Sequence, residues 1–148
     1  MTQRCEIPIP ISANDMHRTV WPKDPKKPPF QVNTSEYESW LLQAGYLVKA
    51  EMKPVKTLPI RVRLEIHGGE GFTKARDLDN CWKPLLDMLR QAEIIPNDRV
   101  KEVASLVGDY FPPRHKGVKA KCFVEVEELT DRAVRGIQHD LFEGAKDA

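Results

Sequence analysis

Apolar and polar residues alternate in three stretches, and this pattern predicts strands that bury every second side chain. The stretches are residues 5–11, 58–66 and 118–126. Pro8 and Pro10 remove two backbone donors from the first stretch, so we expect that strand at the edge of a sheet. The second and third stretches keep their alternation without interruption, so each predicts a strand with one buried and one polar face.

A fourth strand is predicted at residues 99–107, where apolar residues recur before a turn. Pro112, Pro113 and Gly117 mark that turn. Because the strands on either side of it are close in sequence, an antiparallel hairpin between residues 99–107 and the last strand is favoured.

Two helices are predicted from apolar residues spaced three and four positions apart. The first begins at Thr34 or Ser35, which are good N-caps, and runs to about Met52. The second covers about residues 80–92, and Pro84 near its start predicts a bent or late-starting helix. The chain is therefore expected to be α+β, with helices packed on a mixed, mainly antiparallel sheet of about four strands.

Residues 12–33 show neither pattern and predict a long irregular loop with four prolines beyond residue 20. A loop of this length in a compact domain is usually functional or disordered. Trp21 and Phe30 are its large aromatic residues. They suit stacking on nucleic-acid bases, but covering the core is the more frequent role of a loop aromatic.

The length of 148 residues predicts one domain, residues 1–129, with a C-terminal helical extension at 130–148. No run approaches the roughly 18 apolar residues of a membrane span, and no signal peptide opens the chain, so no membrane partner is expected. The cysteines, Cys5, Cys81 and Cys122, are scattered and lack metal-ligand spacing. They predict buried apolar positions in a protein of the reducing cytoplasm.

The net charge is only +1, so the distribution of charge matters more than its sum. Two segments concentrate positive charge: His17, Arg18, Lys23, Lys26 and Lys27, and then Arg114, His115, Lys116, Lys119 and Lys121. Local basic patches of this kind suit phosphate contacts. The alternative for each segment is an ordinary solvated loop.

Candidate chemistry lies at the start of the second helix. Asp77 and Asp79 stand one residue apart, and their carboxylates converge on one ion only if the segment is extended or just entering the helix. Lys83 follows four positions after Asp79, on the same helical face. Helix capping by Asp79 or Asn80 is the alternative for these polar residues, and turn chemistry is the alternative for Asp98.

These residues resemble the RusA family of Holliday-junction resolvases. The resemblance runs without a gap from Arg76 to Val100 and includes Arg-Asp-Leu-Asp-Asn at residues 76–80, Lys83, Asp87 and Asp98. A second match near the N-terminus comprises Ser12, Asn14 and Arg18. Residues 22–29 form a longer loop than is typical of the family.

The resemblance implies that Asp77, Asp79 and Asp98 bind Mg²⁺ and that Lys83 is needed for cleavage. It also implies a homodimer whose two sites make paired symmetric nicks in a four-way DNA junction, in a bacterium or phage. The expected DNA contacts are Asn14, Arg18, Arg76, Arg114, Lys116 and Lys119. Two alternatives stay open: a nuclease for other branched DNA, and a catalytically silent junction-binding protein.

Overall fold

The structure, a computed structural model, describes residues 1–129. Two α-helices, α1 (Ser35–Glu51) and α2 (Trp82–Gln91), accompany the strands. The strands are β1 (Thr2–Ile7), β2 (His17–Val20), β3 (Phe30–Asn33), β4 (Ile60–His67), β5 (Val103–Phe111) and β6 (Lys121–Glu128). Four of them form the main sheet in the order β1-β6-β4-β5, in which only β4 and β5 run parallel. The fold is therefore α+β with a mixed, mainly antiparallel sheet, as predicted.

The core lies between one face of this sheet and the two helices. Strand β4 shows the predicted alternation most clearly, because its four apolar side chains are fully buried and the polar ones between them are half-buried. Helix α1 contributes the predicted stripe that includes Tyr37, Trp40, Ala44 and Val48. Burial of one large apolar side chain contributes roughly 1.5–3 kcal/mol, so this interface stabilises the whole described domain.

Both helices begin close to their predicted positions. The hydroxyl of Thr34 accepts a hydrogen bond from the backbone N–H of Tyr37 at 3.3 Å and so caps α1. Helix α2 starts late, at Trp82, after a short 3₁₀ turn at Asp79–Cys81. Pro84 lies in the first turn of α2, where its missing N–H would have no partner in any case.

The predicted hairpin between residues 99–107 and 118–126 is wrong. Strand β5 instead starts at Val103 and pairs in parallel with β4, so α2 is the crossover between two neighbouring parallel strands. Strand β6 lies on the other side of β4 and pairs with β1 as well. Strand β6 lies inside the sheet, and its alternate side chains are buried. Strand β5 lies at the edge of the sheet and leaves Leu106 and Phe111 exposed.

The N-terminal region also departs from its prediction. Strand β1 does lie at the sheet edge, but it ends at Ile7, so Pro8 and Pro10 lie beyond it. The irregular loop predicted for residues 12–33 is wrong, because β2 and β3 form an antiparallel hairpin there. Almost every residue of this hairpin is exposed, so no alternation of apolar and polar residues marks it.

The C-terminal helix predicted for residues 130–148 lies outside the described residues. Across residues 1–129, no helix has both the length and the apolar character that crossing a bilayer requires.

Candidate functional site

A cleft brings together the two segments that matched the resolvase motif. The guanidinium of Arg76 donates a hydrogen bond to the backbone carbonyl of Pro10 at 3.1 Å. The 3₁₀ turn at Ala13–Asp15 also contacts the turn at Asp79–Cys81. The cleft between these segments has a volume of about 540 Å³, and its lining includes Ser12, Asn14, His17, Glu36 and Arg76. Residues more than 60 positions apart thus meet at one surface.

The acids Asp77 and Asp79 are not among the residues that line the cleft, but they follow its residue Arg76 along the chain and are exposed to solvent. Neither caps α2, because Cys81 occupies its N-cap position and makes no side-chain cap bond. The preceding 3₁₀ turn has Leu78 at its N-cap and likewise lacks a side-chain cap. The capping interpretation of Asp79 and Asn80 is therefore wrong for this structure.

Within the described residues, Asp77 and Asp79 form no ion pair. The only side-chain contact recorded there is a long hydrogen bond of 3.4 Å, donated by the Asn80 amide to Asp77 Oδ2. Two exposed carboxylates with free oxygens are the hard ligands that Mg²⁺ prefers. These residues therefore fit the metal that the family resemblance implies.

Lys83 belongs to a second, partly buried group. Its Nζ lies 2.9 Å from Oδ1 of Asp87, an acid that is only 6% exposed. The hydroxyl of Tyr37 donates to Oδ2 of the same carboxylate at 3.2 Å, and Arg90 approaches Oδ1 at 3.4 Å. Burial, together with the nearby Asp87 charge, holds the pKa of Tyr37 well above its usual value.

One member of this group, Tyr37, contacts a residue that lines the cleft. The ring of His17, a cleft residue, contacts the ring of Tyr37 edge-on with centroids 6.0 Å apart. The Lys83 side chain is 58% exposed, so its ammonium lies at the surface although its partner is buried. The apolar spacing of the first helix indicates that Tyr37 is buried but not that it bonds Asp87, since no local pattern connects residues 50 positions apart.

Asp98 lies in a different part of the chain from the other two predicted ligands. Asp77 and Asp79 precede α2, whereas Asp98 follows it in the connection to β5. Its backbone N–H donates to Oδ1 of Asn97 at 2.8 Å, which is ordinary turn chemistry. In residues 1–129, no group of three or more His, Cys, Asp or Glu side chains is arranged to hold one metal ion. The grouping of Asp98 with Asp77 and Asp79 around one ion therefore stays a prediction.

The predicted DNA contacts Arg114, Lys116 and Lys119 are exposed on the segment 112–120, here called the basic loop. A pair of backbone hydrogen bonds joins this loop to Glu70, on the approach to Arg76: Glu70 donates to Val118 at 2.8 Å and accepts from Ala120 at 2.9 Å. The basic loop therefore borders the segment that leads to the acids.

Arg76 and Arg18 hold different positions around the cleft. The guanidinium of Arg76 lies over the ring of Phe72, 4.8 Å from its centroid, which orients the side chain towards Pro10. Arg18 is exposed on β2, one residue beyond the cleft residue His17. Asn14 lines the cleft itself. Each predicted DNA-contacting residue is thus at least partly exposed.

The three cysteines are buried and free, as predicted. Burial raises the pKa of the Cys5 thiol to about 11 and also raises the pKa of Cys81. Because the thiolate is the reactive form, burial of this kind is typical of structural cysteines.

A scan against protein-family models finds no match, and a search of curated proteins finds no relative of this chain. The geometry of the cleft and its charges therefore carries the functional argument.

Proposed function

We propose that this chain is a Mg²⁺-dependent endonuclease that nicks four-way or similarly branched DNA, as its resemblance to the RusA resolvases implies. The observation that carries the proposal is the meeting of two distant segments at one cleft. Asn14 and Arg76 line that cleft, and the exposed acids Asp77 and Asp79 follow Arg76 directly. Exposed acids near cationic groups that could bind phosphate suit metal-assisted phosphodiester hydrolysis.

The residues would divide the chemistry between them. Asp77, Asp79 and Asp98 would hold Mg²⁺, which supplies charge neutralisation and an activated water when it is bound. Lys83 would place its ammonium against the scissile phosphate or the leaving oxygen. Its present partner is Asp87, which would keep its bonds from Tyr37 and Arg90 if Lys83 turned to a phosphate oxygen.

The surroundings of the cleft support a nucleic-acid substrate. The exposed cations of the basic loop lie on a segment bonded to Glu70, and the exposed Arg18 follows the cleft residue His17 on β2. Phosphate contacts from such side chains provide affinity that depends on salt but not on sequence. A homodimer remains part of the proposal because symmetric nicking of a junction needs two sites.

The direct test is to incubate an end-labelled four-way junction with the protein and map the nicks. We expect nicks at symmetric positions with Mg²⁺ and none when EDTA removes the metal. A linear duplex of the same sequence is the matched control, and we expect it to remain intact. Tight junction binding without any nick would support the catalytically silent alternative, and equal nicking of both substrates would contradict structure-specific cleavage.

A further inference from the structure

The hairpin of β2 and β3 carries an exposed feature that the cleft chemistry does not use. Trp21 is 76% exposed and Phe30 is 50% exposed, so the expectation that they cover the core is wrong. The two residues stand at either end of the connection between the strands. We call residues 21–29, together with Phe30, the hairpin tip. The strand register pairs Phe30 with Val20, the neighbour of Trp21, so both aromatic residues lie at the same end of the hairpin.

The hairpin tip is stiff. Its nine-residue connection contains Pro22, Pro25, Pro28 and Pro29, and each proline fixes one backbone angle. A turn closes the connection, because the carbonyl oxygen of Asp24 accepts from the N–H of Lys27 at 3.1 Å. The Asp24 carboxylate also accepts from the N–H of Lys26 at 3.0 Å. Little conformational entropy is therefore lost when the tip binds a partner.

The charge of the hairpin tip favours an anionic partner. Lys23, Lys26 and Lys27 are exposed, and Asp24 is the only acid in the connection. Arg18 adds a further exposed cation on the preceding strand. Two exposed aromatic rings among these cations match a ligand that presents flat π surfaces between phosphates.

The base of the hairpin is fixed to the cleft. The N–H of Thr34 donates to the carbonyl of Met16 at 2.9 Å, and the Thr34 hydroxyl donates to the carbonyl of Asp15 at 2.7 Å. Trp21 lies four positions after the cleft residue His17. At about 3.3 Å per residue, the strand carries Trp21 roughly 13 Å from His17, a span of a few base-pair steps.

We propose that the hairpin tip stacks Trp21 on a base pair exposed at the branch point of DNA. This inference rests on the proposed function and adds to it a residue that selects the substrate structure. In a continuous duplex both faces of each base pair are covered, so stacking requires a step to be opened at a cost of a few kcal/mol. A branch point offers an open face, and the tip lysines hold the flanking phosphates.

The test compares affinities for a four-way junction and for a linear duplex of the same sequence, without divalent cations so that nothing is cut. Stacking of one base is a strong interaction. We therefore expect Trp21→Ala to weaken junction binding about five- to a hundredfold. Duplex binding should change less than about twofold, since the lysines bind it alone. Trp21→Phe keeps a ring and should retain most of the preference.

Tyr46→Ala is the matched control, because Tyr46 is also 76% exposed but lies on α1. We expect it to leave both affinities unchanged. A second comparison replaces Lys23, Lys26 and Lys27 with glutamine, which should weaken junction and duplex binding alike and reduce the salt dependence of both. Together the variants distinguish the contribution of the Trp21 ring to binding from that of the lysine charges.

Equal weakening of junction and duplex binding by Trp21→Ala, or no weakening, would overturn the proposal. A change in sedimenting mass with an unchanged junction preference would also overturn it, since Trp21 would then contact another protein chain. Because binding is measured without metal, the result is independent of cleavage. A protein that nicks nothing but still loses junction preference in Trp21→Ala would disprove the endonuclease and leave the stacking role intact.

Discussion

The acids at the start of α2 and the acids further along the chain contrast sharply. Asp77 and Asp79 are exposed and unpaired within the described residues, whereas Asp87 and Glu102 are 6% and 4% exposed. Asp87 binds Tyr37, Lys83 and Arg90, and Glu102 binds Arg99 at 2.8 Å. Loss of a donor leaves a buried acid uncompensated and destabilises a fold, while exposed acids with few donors are available to a ligand. Burial and partners therefore distinguish residues that the sequence presents alike.

The largest effect is expected from Asp79→Asn. The substitution removes one charge at an exposed position that makes no capping bond, so folding should be unaffected while nicking falls by at least about a hundredfold. Junction binding should persist or tighten, because one negative charge facing phosphate is gone. Nick mapping and a binding titration check both parts. Cleavage at the wild-type rate would show that Asp79 does not hold the metal.

Lys83 contacts the buried acid Asp87 but is proposed to act beside the exposed acid Asp79. Its variants therefore test whether the lysine serves the fold or the cleavage reaction. Lys83→Met keeps the apolar stem and deletes the charge, so we expect Mg²⁺ binding to survive and cleavage to fall about a hundredfold. Lys83→Arg should lie between this variant and the wild type. Calorimetry with Mg²⁺ and single-turnover nicking are the measurements. If Lys83→Met unfolds instead, the lysine is structural and its proposed catalytic role fails.

The cations of the basic loop resemble the exposed acids in lacking partners. Arg114, Lys116 and Lys119 are exposed and form no ion pair within residues 1–129. Replacing all three with alanine should weaken junction binding and lower the slope of log affinity against log salt by up to about 2.7, at 0.9 per phosphate contact. An unchanged slope would show that this loop is ordinary solvated surface.

The smallest effect is expected on the free energy of unfolding, when the buried carboxylate of Asp87 is removed. Asp87→Ala leaves the buried hydroxyl of Tyr37 without its partner, which costs about 1–3 kcal/mol of unfolding free energy. Tyr37→Phe removes the other half of the bond. The double variant should therefore lose less stability than the sum of the two single losses. Urea titrations of all four proteins measure this coupling, and strictly additive losses would show that the bond contributes nothing.

Local patterns predicted the elements that bury one face. The alternation in β4, the apolar stripe of α1 and the late start of α2 all follow from neighbours in sequence. Strand partners did not follow, because pairing β6 with β4 and β1 depends on contacts between distant residues. The hairpin of β2 and β3 escaped prediction for another reason, since its exposure on both faces leaves no periodic signal.

In the candidate site too, local spacing was predictable and contacts between distant residues were not. The spacing of Asp77, Asp79 and Lys83 made them candidates, and the first two are exposed and follow the cleft residue Arg76 along the chain. The bond from Tyr37 to Asp87 and the contact of Arg76 with Pro10 join residues 50 and 66 positions apart. Neither could be read from the chain, because a helix stripe indicates which residues are buried but not what they meet. The grouping of Asp98 with the other acids stays a prediction.

The place of β6 in the sheet has a consequence for synthesis of the protein. The last strand of the described chain occupies the middle of the sheet, between the first strand and β4. While the ribosome is still making residues 121–128, β1 has no sheet partner and β4 keeps one open edge. Pairing across so long a stretch of chain is intrinsically slow, and unpaired edges promote aggregation. We therefore expect nascent chains that stop before residue 121 to need a chaperone, whereas the released chain closes its own sheet.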